Sequence, residues 1–216
     1  SEIRKKIKKI KKKNKIINLK KQKYLINNLE FSLTKDQIKV LKEINEDLES
    51  STKMFRLLQG DVGSGKTIVS LLTISNVIES GYQCALMGPT EILAKQHFEL
   101  AKKIYKDTNF KIDFLTGKTE NKKKKKILKN LEVGKINLII GTHALFQKKI
   151  NFKKLGLAII DEQHKFGVKQ RLELAKKGGN NCDVLLMSAT PIPRTMMMSL
   201  YGDMDISKIT EKPAKR

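Results

Sequence analysis

A glycine-rich turn between an apolar run and a helix-like segment constrains this 216-residue chain more than any other feature. Its eight residues read Gly-Asp-Val-Gly-Ser-Gly-Lys-Thr and fit the pattern G-x-x-x-x-G-K-[ST]. Glycines let successive N–H groups point at one phosphate, and the start of a helix adds partial positive charge. A merely flexible turn would not require the Lys-Thr pair. The pattern predicts a phosphate-binding loop made of Gly60, Asp61, Val62, Gly63, Ser64, Gly65, Lys66 and Thr67.

The loop and a second, acidic segment predict ATP hydrolysis. Lys66 is expected to reach the β- and γ-phosphates of ATP, and the Thr67 hydroxyl to bind Mg²⁺. An apolar run at residues 157–160 ends in two carboxylates, as the acidic half of such a site should. Asp161 is predicted to hold Mg²⁺, and Glu162 to orient and deprotonate the attacking water. ATP and Mg²⁺ are therefore the expected cofactors.

Strand, turn and helix patterns alternate along the chain and predict an α/β fold. Gly81 and Gly134 stand where two helices are expected to end, and Thr34 with Gln37 forms a capping box at the start of another. The alternation indicates a parallel sheet with helices on both faces, whose ligands bind at the carboxyl ends of the strands. Strands are predicted at 54–59, 83–87, 111–115, 137–140, 157–160 and 184–187, and helices at 34–44, 67–80, 91–105 and 120–133.

Positive charge is concentrated at the N-terminus. The chain has 45 Lys and Arg against 22 Asp and Glu, a formal net charge of +23. Such an excess attracts the phosphate backbone of nucleic acids, although compositional drift towards lysine produces it equally well. Isoleucines at helical spacing predict a basic helix over residues 1–13. We expect residues 1–30 to form a basic helical connector and residues 31–216 to form the packed domain.

Two further features limit the class of protein. No run approaches the roughly 18 apolar residues that a membrane span requires, and no apolar region follows the basic N-terminus as in a signal peptide. The two cysteines, Cys84 and Cys182, lie too far apart in sequence for a disulfide framework or a zinc site. A cytoplasmic monomer without membrane association is the expectation.

Five further segments resemble the motifs of superfamily 2 helicases, in the order of that superfamily. The segments 31–37 (FSLTKDQ), 89–97 (PTEILAKQH), 141–145 (GTHAL), 161–164 (DEQH) and 188–195 (SATPIPRT) resemble the adenine-recognition segment, motif Ia, motif Ib, motif II of the DExH kind and motif III. The extended form of motif III is shared by RecG and the transcription-repair coupling factor. Ser64, Gln163 and the segment 201–205 look like RecG. The resemblance covers about residues 24–212. The chain is thereby identified as similar to the first RecA-like motor lobe of a RecG-type helicase.

The resemblance implies roles for individual residues. Phe31, Thr34 and Gln37 would recognise the adenine, with Gln37 reading the base, and His164 would serve catalysis by linking the ATP site to motif III. The implied contacts with the DNA backbone are Thr90, Gln96, Gly117, Thr142 and His143, and the implied coupling residues are Gln163, Ser188, Thr190 and Arg194. Small hydroxyl residues and free N–H groups suit phosphates rather than bases. For His143 and His164, a satisfied core histidine is the alternative.

The resemblance implies an ATP-driven motor that remodels branched DNA, such as stalled forks and Holliday junctions, in recombination and repair. A second RecA-like lobe with arginine fingers and a wedge domain are expected as partners outside this chain, so the isolated chain should hydrolyse ATP slowly. Three alternatives remain: a transcription-repair coupling translocase, a P-loop kinase for a small molecule, and a nucleotide-dependent DNA-binding module with negligible turnover. A kinase would need a lid and an acceptor pocket, and would not explain the motif order.

Overall fold

A sheet of seven parallel strands forms the centre of the domain. The structure, a computed structural model, describes residues 10–162, 176–190 and 204–211. The strand order is β3-β4-β2-β5-β6-β1-β7, and every neighbouring pair is parallel. The strands are β1 (Phe55–Gly60), β2 (Gln83–Met87), β3 (Ile112–Leu115), β4 (Leu138–Gly141), β5 (Leu155–Glu162), β6 (Asp183–Ser188) and β7 (Asp205–Ile209).

Helices cover both faces of this sheet, as predicted. Because successive side chains of a strand point to opposite faces, Leu58 of β1 packs against α2 and α3, and Leu57 belongs to a second core with α5. The α-helices in the described ranges are α1 (Leu19–Asn27), α2 (Lys35–Glu49), α3 (Lys66–Glu79), α4 (Glu91–Ile104) and α5 (Asn121–Glu132); 3₁₀ turns span His143–Phe146 and Gly179–Asn181. None of the described helices is both long and apolar enough to cross a membrane.

The strands and helices predicted from Thr34 onward are confirmed, with shifts of a few residues at most ends. Gly81 and Gly134 have φ angles of 82° and 78°, the left-handed conformation expected of glycines that end helices. The sequence does not predict β7, because this edge strand mixes polar and apolar residues and buries only part of its length. The four-residue β3 at the opposite edge is half-buried over most of its length.

The N-terminal segment differs from the predicted basic helix. Residues 10–18 form an extended segment, here called the strap, and α1 begins only at Leu19, where the Asn18 side chain caps it. Lys12 and Lys15 donate their backbone N–H groups to carbonyls at the end of α2 and just beyond it. These bonds replace those of a helix, so the helix predicted over residues 1–13 is wrong for residues 10–13. Residues 1–9 lie outside the described ranges.

Two buried lysines of the strap form ion pairs at the amino-terminal end of the sheet. The amines of Lys12 and Lys15 both contact the carboxylate of Asp183, the first residue of β6, and none of the three side chains is exposed. Asp183 also accepts the N–H of Met54 at 2.7 Å. Burial lowers the pKa of Lys12, while the negative charge of Asp183 acts in the opposite direction. The carboxylate thus neutralises charge that would otherwise be buried without a partner.

Removing this carboxylate should destabilise the domain strongly. Asp183→Ala leaves two buried ammonium groups without their counter-ion, and breaking a buried ion pair typically costs about 3–5 kcal/mol. The matched control is Glu132→Ala at the exposed end of α5, which also removes one carboxylate. Urea denaturation of the two variants measures the difference. Equal midpoints would show that Asp183 does not hold the strap.

Candidate nucleotide and nucleic-acid site

The strand order divides the carboxyl edge of the sheet into two adjoining halves. On one half, the neighbours β1, β6 and β5 end at or next to the predicted nucleotide residues Gly60 and Asp161 and the predicted coupling residue Ser188. On the other half, β2, β4 and β3 lead into the loops that hold the predicted DNA residues Thr90, Thr142 and Gly117. The two halves meet where β5 pairs with β2. The fold therefore brings together residues that are more than 120 positions apart in the chain.

The phosphate loop leaves β1 and enters α3 through two glycines of positive φ. Gly63 and Gly65 have φ angles of 81° and 87°, which side chains with a β-carbon rarely adopt. Gly65 caps α3 without any side chain, so the first N–H groups of the helix remain available to a ligand. The Ser64 hydroxyl is buried with no hydrogen-bond partner among the residues that the structure describes. Free donors around a polar turn fit a bound phosphate.

The side chain of Lys66 is hydrogen-bonded to the backbone of the phosphate loop. Its amine donates to the carbonyl oxygens of Gly60 and Asp61, the latter at 2.9 Å. Burial lowers the pKa of this amine, and the negative charges of Asp161 and Asp61 oppose that shift. Thr67 follows in the first turn of α3 and is half-buried. A phosphate that enters the loop would take the place of the two carbonyls as partner of Lys66.

Gln37 joins the predicted adenine segment to the phosphate loop. The predicted capping box is confirmed: the Thr34 side chain accepts the Gln37 N–H, and Gln37 Oε1 accepts the Thr34 N–H at 2.9 Å. Gln37 Nε2 donates to the Ser64 carbonyl at 2.8 Å, and the side chain is 1% exposed. The amide nitrogen carries a second N–H group, so Gln37 can donate to a base while it keeps the bond to the Ser64 carbonyl. Phe31 is partly exposed and lines a cleft with Ile68 of α3.

Asp36, the residue before Gln37, holds the segment that follows β7. Its carboxylate accepts the hydroxyl and N–H of Thr210, at 2.7 and 2.8 Å, and the N–H of Glu211 at 3.0 Å. These hydrogen bonds, those from Thr210 foremost, hold the pKa of Asp36 below its ordinary value. The sequence does not predict this contact, since the partners lie 174 residues apart and the motif that contains Asp36 does not indicate which distant segment it will meet.

Asp161 is paired with a histidine that sequence analysis did not assign to the site. Asp161 Oδ2 lies 2.8 Å from Nε2 of His97, which is 7% exposed on α4. A carboxylate only accepts hydrogen bonds, so the imidazole nitrogen is the donor. His97 belongs to the segment that resembles motif Ia, but a single histidine on a helix does not indicate which residue it will meet.

Strand β6 lies between the strand that carries the two carboxylates and the strand that leads into the phosphate loop. Glu162 ends β5 and lies in register with Ser188 of β6, which is also in register with Gln59 of β1. The Ser188 hydroxyl donates to the Thr190 carbonyl at 3.1 Å and closes a turn. Outside the described residues lie the side chain of Glu162 and the whole of Gln163, His164 and Arg194. Their predicted roles stay predictions.

The predicted DNA residues differ in how much surface they offer. Thr90 is exposed at the N-cap of α4, where its hydroxyl accepts the Leu93 N–H at 3.2 Å. Gln96, Gly117 and His143 are exposed as well. Thr142 is 6% exposed and has little side-chain surface for a ligand.

The side-chain oxygens near the phosphate loop suit a magnesium ion that the protein and the nucleotide would bind together. No group of three or more His, Cys, Asp or Glu that could hold a metal occurs in the described ranges. Mg²⁺ usually keeps several waters and is bound by one or two protein oxygens together with substrate phosphates. Thr67 and Asp161, at the ends of neighbouring elements of the nucleotide half, would supply such oxygens.

The similarity of this chain to known proteins agrees with the arrangement of the site. Residues 34–199 match the DEAD/DEAH box helicase family, and the chain belongs to that family. This membership removes the small-molecule kinase from the alternatives. Within the family, the sequence is of the RecG type and the fold is that of a RecA-like lobe, as the resemblance implied.

The RecG relatives are similar over almost the whole chain. Identity is 53% over 192 residues to the ATP-dependent DNA helicase RecG of Aquifex aeolicus, covering 88% of this chain and 24% of the relative. RecG of Streptococcus pneumoniae serotype 4 is 51% identical over 189 residues, covering 88% and 28%. A solved structure of RecG bound to a three-way DNA junction superposes with a TM-score of 0.86 at 44% identity, covering 100% of this chain and 29% of that one. The chain thus spans about a quarter of the length of these relatives.

Loss of the loop lysine should weaken nucleotide binding. Lys66→Ala removes a charged donor to phosphate, and hydrogen bonds to charged groups contribute about 1.5–3 kcal/mol. Calorimetry with Mg-ADP gives the difference from wild type. As a control, Lys42→Ala removes the same charge from an exposed position on α2, where the side chain is 80% exposed, and should bind like wild type. Equal affinities for wild type and Lys66→Ala would contradict the loop assignment.

Proposed function

We propose that the protein containing this chain uses ATP hydrolysis to move on branched DNA and remodel it during recombination and repair. This lobe supplies the phosphate loop and magnesium carboxylate of the motor. The observation that carries the proposal is the contiguity of the two halves of the carboxyl edge, with Asp161 beside the strand that leads to the exposed Thr90 and Gln96. The similar RecG structure is bound to a three-way DNA junction, which supports branched DNA as the substrate.

Each nucleotide-side residue has a distinct task in this proposal. Lys66 neutralises the phosphates, and Thr67 and Asp161 hold Mg²⁺, directly or through water. Bound Mg-ATP supplies the phosphoryl group whose transfer to water drives the motor. Glu162 orients that water and accepts its proton. Phe31, Thr34 and Gln37 recognise the adenine, and Gln37 is also bonded to the phosphate loop.

Changes at the nucleotide would reach the rest of the protein through β6. Ser188 lies in register between Gln59, which precedes the phosphate loop, and Glu162. The turn at Ser188–Thr190 therefore begins between the two sides of the ATP site. We assign coupling roles to it and to Gln163, His164 and Arg194. A second RecA-like lobe and a wedge domain are the proposed partners, with the cytoplasm as the proposed location and a monomer as the proposed state.

DNA would be held through its backbone by the other half of the carboxyl edge. Thr90 stands at the N-terminus of α4, where unsatisfied N–H groups and the helix dipole favour phosphates. Gln96, Gly117 and His143 are accessible on the same edge. The described residues of this half place no exposed Phe, Tyr or Trp side chain there for stacking with bases. Contacts of this kind hold DNA without reading its sequence.

A strand-separation assay tests the proposal directly. The whole protein that contains this lobe should separate the strands of a three-way junction in the presence of Mg-ATP, and should act far less on a linear duplex of the same sequence. Lys66→Ala should abolish the activity, because the phosphates lose their charged partner. Equal activity on both substrates would contradict the preference for branched DNA, and activity without ATP would contradict the motor.

The contribution of the DNA half can be separated from the charge of the tail. Gln96→Glu places a negative charge on exposed α4 and should weaken binding to duplex DNA by up to about fivefold at low salt, since exposed charge pairs contribute about 0.2–1 kcal/mol. The control Lys42→Gln changes the net charge by the same amount on exposed α2 and should bind like wild type. Fluorescence anisotropy at two salt concentrations gives both affinities.

Removing residues 1–9 tests the tail in the same titration. It deletes five basic residues, Arg4, Lys5, Lys6, Lys8 and Lys9, and should lower affinity and the salt dependence together. The truncation stops before the strap, because Lys12 and Lys15 are part of the folded domain. If Gln96→Glu binds like Lys42→Gln and truncation removes all binding, DNA contacts the tail and not the edge of the sheet.

A further inference from the structure

A hydrogen bond crosses the boundary between the two halves of the carboxyl edge. His97 is carried by α4, which follows β2, and Asp161 is the last residue but one of β5. Their side chains meet at 2.8 Å although the residues lie 64 positions apart in sequence. The pair is largely shielded from water, with 9% of the His97 side chain and 18% of the Asp161 side chain exposed.

We propose that His97 is a positioning residue that holds the Asp161 carboxylate in place for Mg²⁺ and ties the metal site to α4. The inference rests on the proposed function, in which Asp161 is the magnesium carboxylate. His97 donates to Oδ2 and leaves Oδ1 free of this bond, so each oxygen has its own role. His97 itself touches neither metal nor nucleotide.

The physical basis is the restriction of a side chain that could otherwise rotate. Asp161 stands near the end of a strand, and a hydrogen bond from His97 on another element favours one orientation of its carboxylate. A hydrogen bond to a charged acceptor in a shielded place is stronger than an exposed neutral one. Partners of metal-binding carboxylates act in this way elsewhere, and their loss typically costs about 10–100-fold in metal affinity.

The hydrogen bond between His97 and Asp161 also connects the metal site to the helix that faces DNA. Gln96 and His97 are consecutive on α4, so they point about 100° apart, one exposed and the other buried towards β5. The helix that offers Thr90 and Gln96 to DNA therefore also carries the donor for Asp161. Any displacement of α4 by DNA moves that donor relative to β5. This side-chain hydrogen bond therefore links the metal carboxylate to the DNA half of the edge.

Calorimetry of ADP binding, with Mg²⁺ and with the metal chelated, separates positioning from packing. In His97→Leu, which keeps the bulk but not the donor, the gain in ADP affinity on adding Mg²⁺ should fall by about 10–100-fold. ADP affinity without Mg²⁺ should stay unchanged. His97→Gln, whose amide can reach as far as the imidazole Nε2, should restore most of the gain, and the shorter His97→Asn should not. Thermal denaturation of each variant accompanies the titrations.

Two control variants distinguish a failure of the positioning role from a failure of the magnesium assignment. Phe98→Leu alters the next residue of α4, which packs on Phe114, without touching Asp161, and should keep the full Mg²⁺ gain. Asp161→Asn should lose that gain. If it does not, the magnesium assignment in the proposed function fails. Suppose instead that Asp161→Asn loses the Mg²⁺-dependent gain in ADP affinity. The positioning role alone is then overturned if His97→Leu keeps that gain as Phe98→Leu does, or if His97→Leu loses ADP affinity equally with and without Mg²⁺. If His97→Leu does not fold, equal Mg²⁺ gains for His97→Gln and His97→Asn would overturn it as well.

Discussion

The parallel pairing of β1, β6 and β5 is the constraint on which the site depends. Parallel strands present their carboxyl ends at one edge, and pairing through β6 sets the distance between the phosphate loop and Asp161. Ser188 occupies the strand between them and faces both neighbours in register. The phosphate loop, the metal carboxylate and the turn after β6 therefore form one unit, because the backbone hydrogen bonds of the sheet fix their relative positions.

The two ends of the sheet serve different purposes. At the amino-terminal end, Lys12 and Lys15 form a buried, ion-paired cluster with Asp183 that holds the strap. At the carboxyl end, the Ser64 hydroxyl has no hydrogen-bond partner among the described residues, and the Lys66 amine is bonded to loop carbonyls. Ion-paired charges hold the strap at one end, while a phosphate can replace the carbonyl partners of Lys66 at the other. Contacts such as Gln37 with Ser64 and Asp161 with His97 link the ligand end to neighbouring helices.

Features that depend on local backbone conformation were predicted from the sequence, whereas the N-terminal segment, which depends on distant contacts, was not. The phosphate loop was recognisable because its glycines and its Lys-Thr pair act through the local backbone, and the observed φ angles of Gly63 and Gly65 agree. The capping box at Thr34 is local in the same sense. The predicted N-terminal helix failed in its described part because isoleucine spacing does not reveal that two neighbouring lysines will be buried against Asp183.

By itself, the sequence determined the alternation of strands and helices, the phosphate loop, the acidic strand end and the RecG-type family. These follow from patterns of a few residues, in which side-chain size, charge and backbone freedom act over one turn or one strand. Only the tertiary structure decided that Thr142 is covered, that Asp36 holds the segment after β7, and that His97 meets Asp161. Those contacts depend on the strand order, since the strand order decides which distant elements become neighbours.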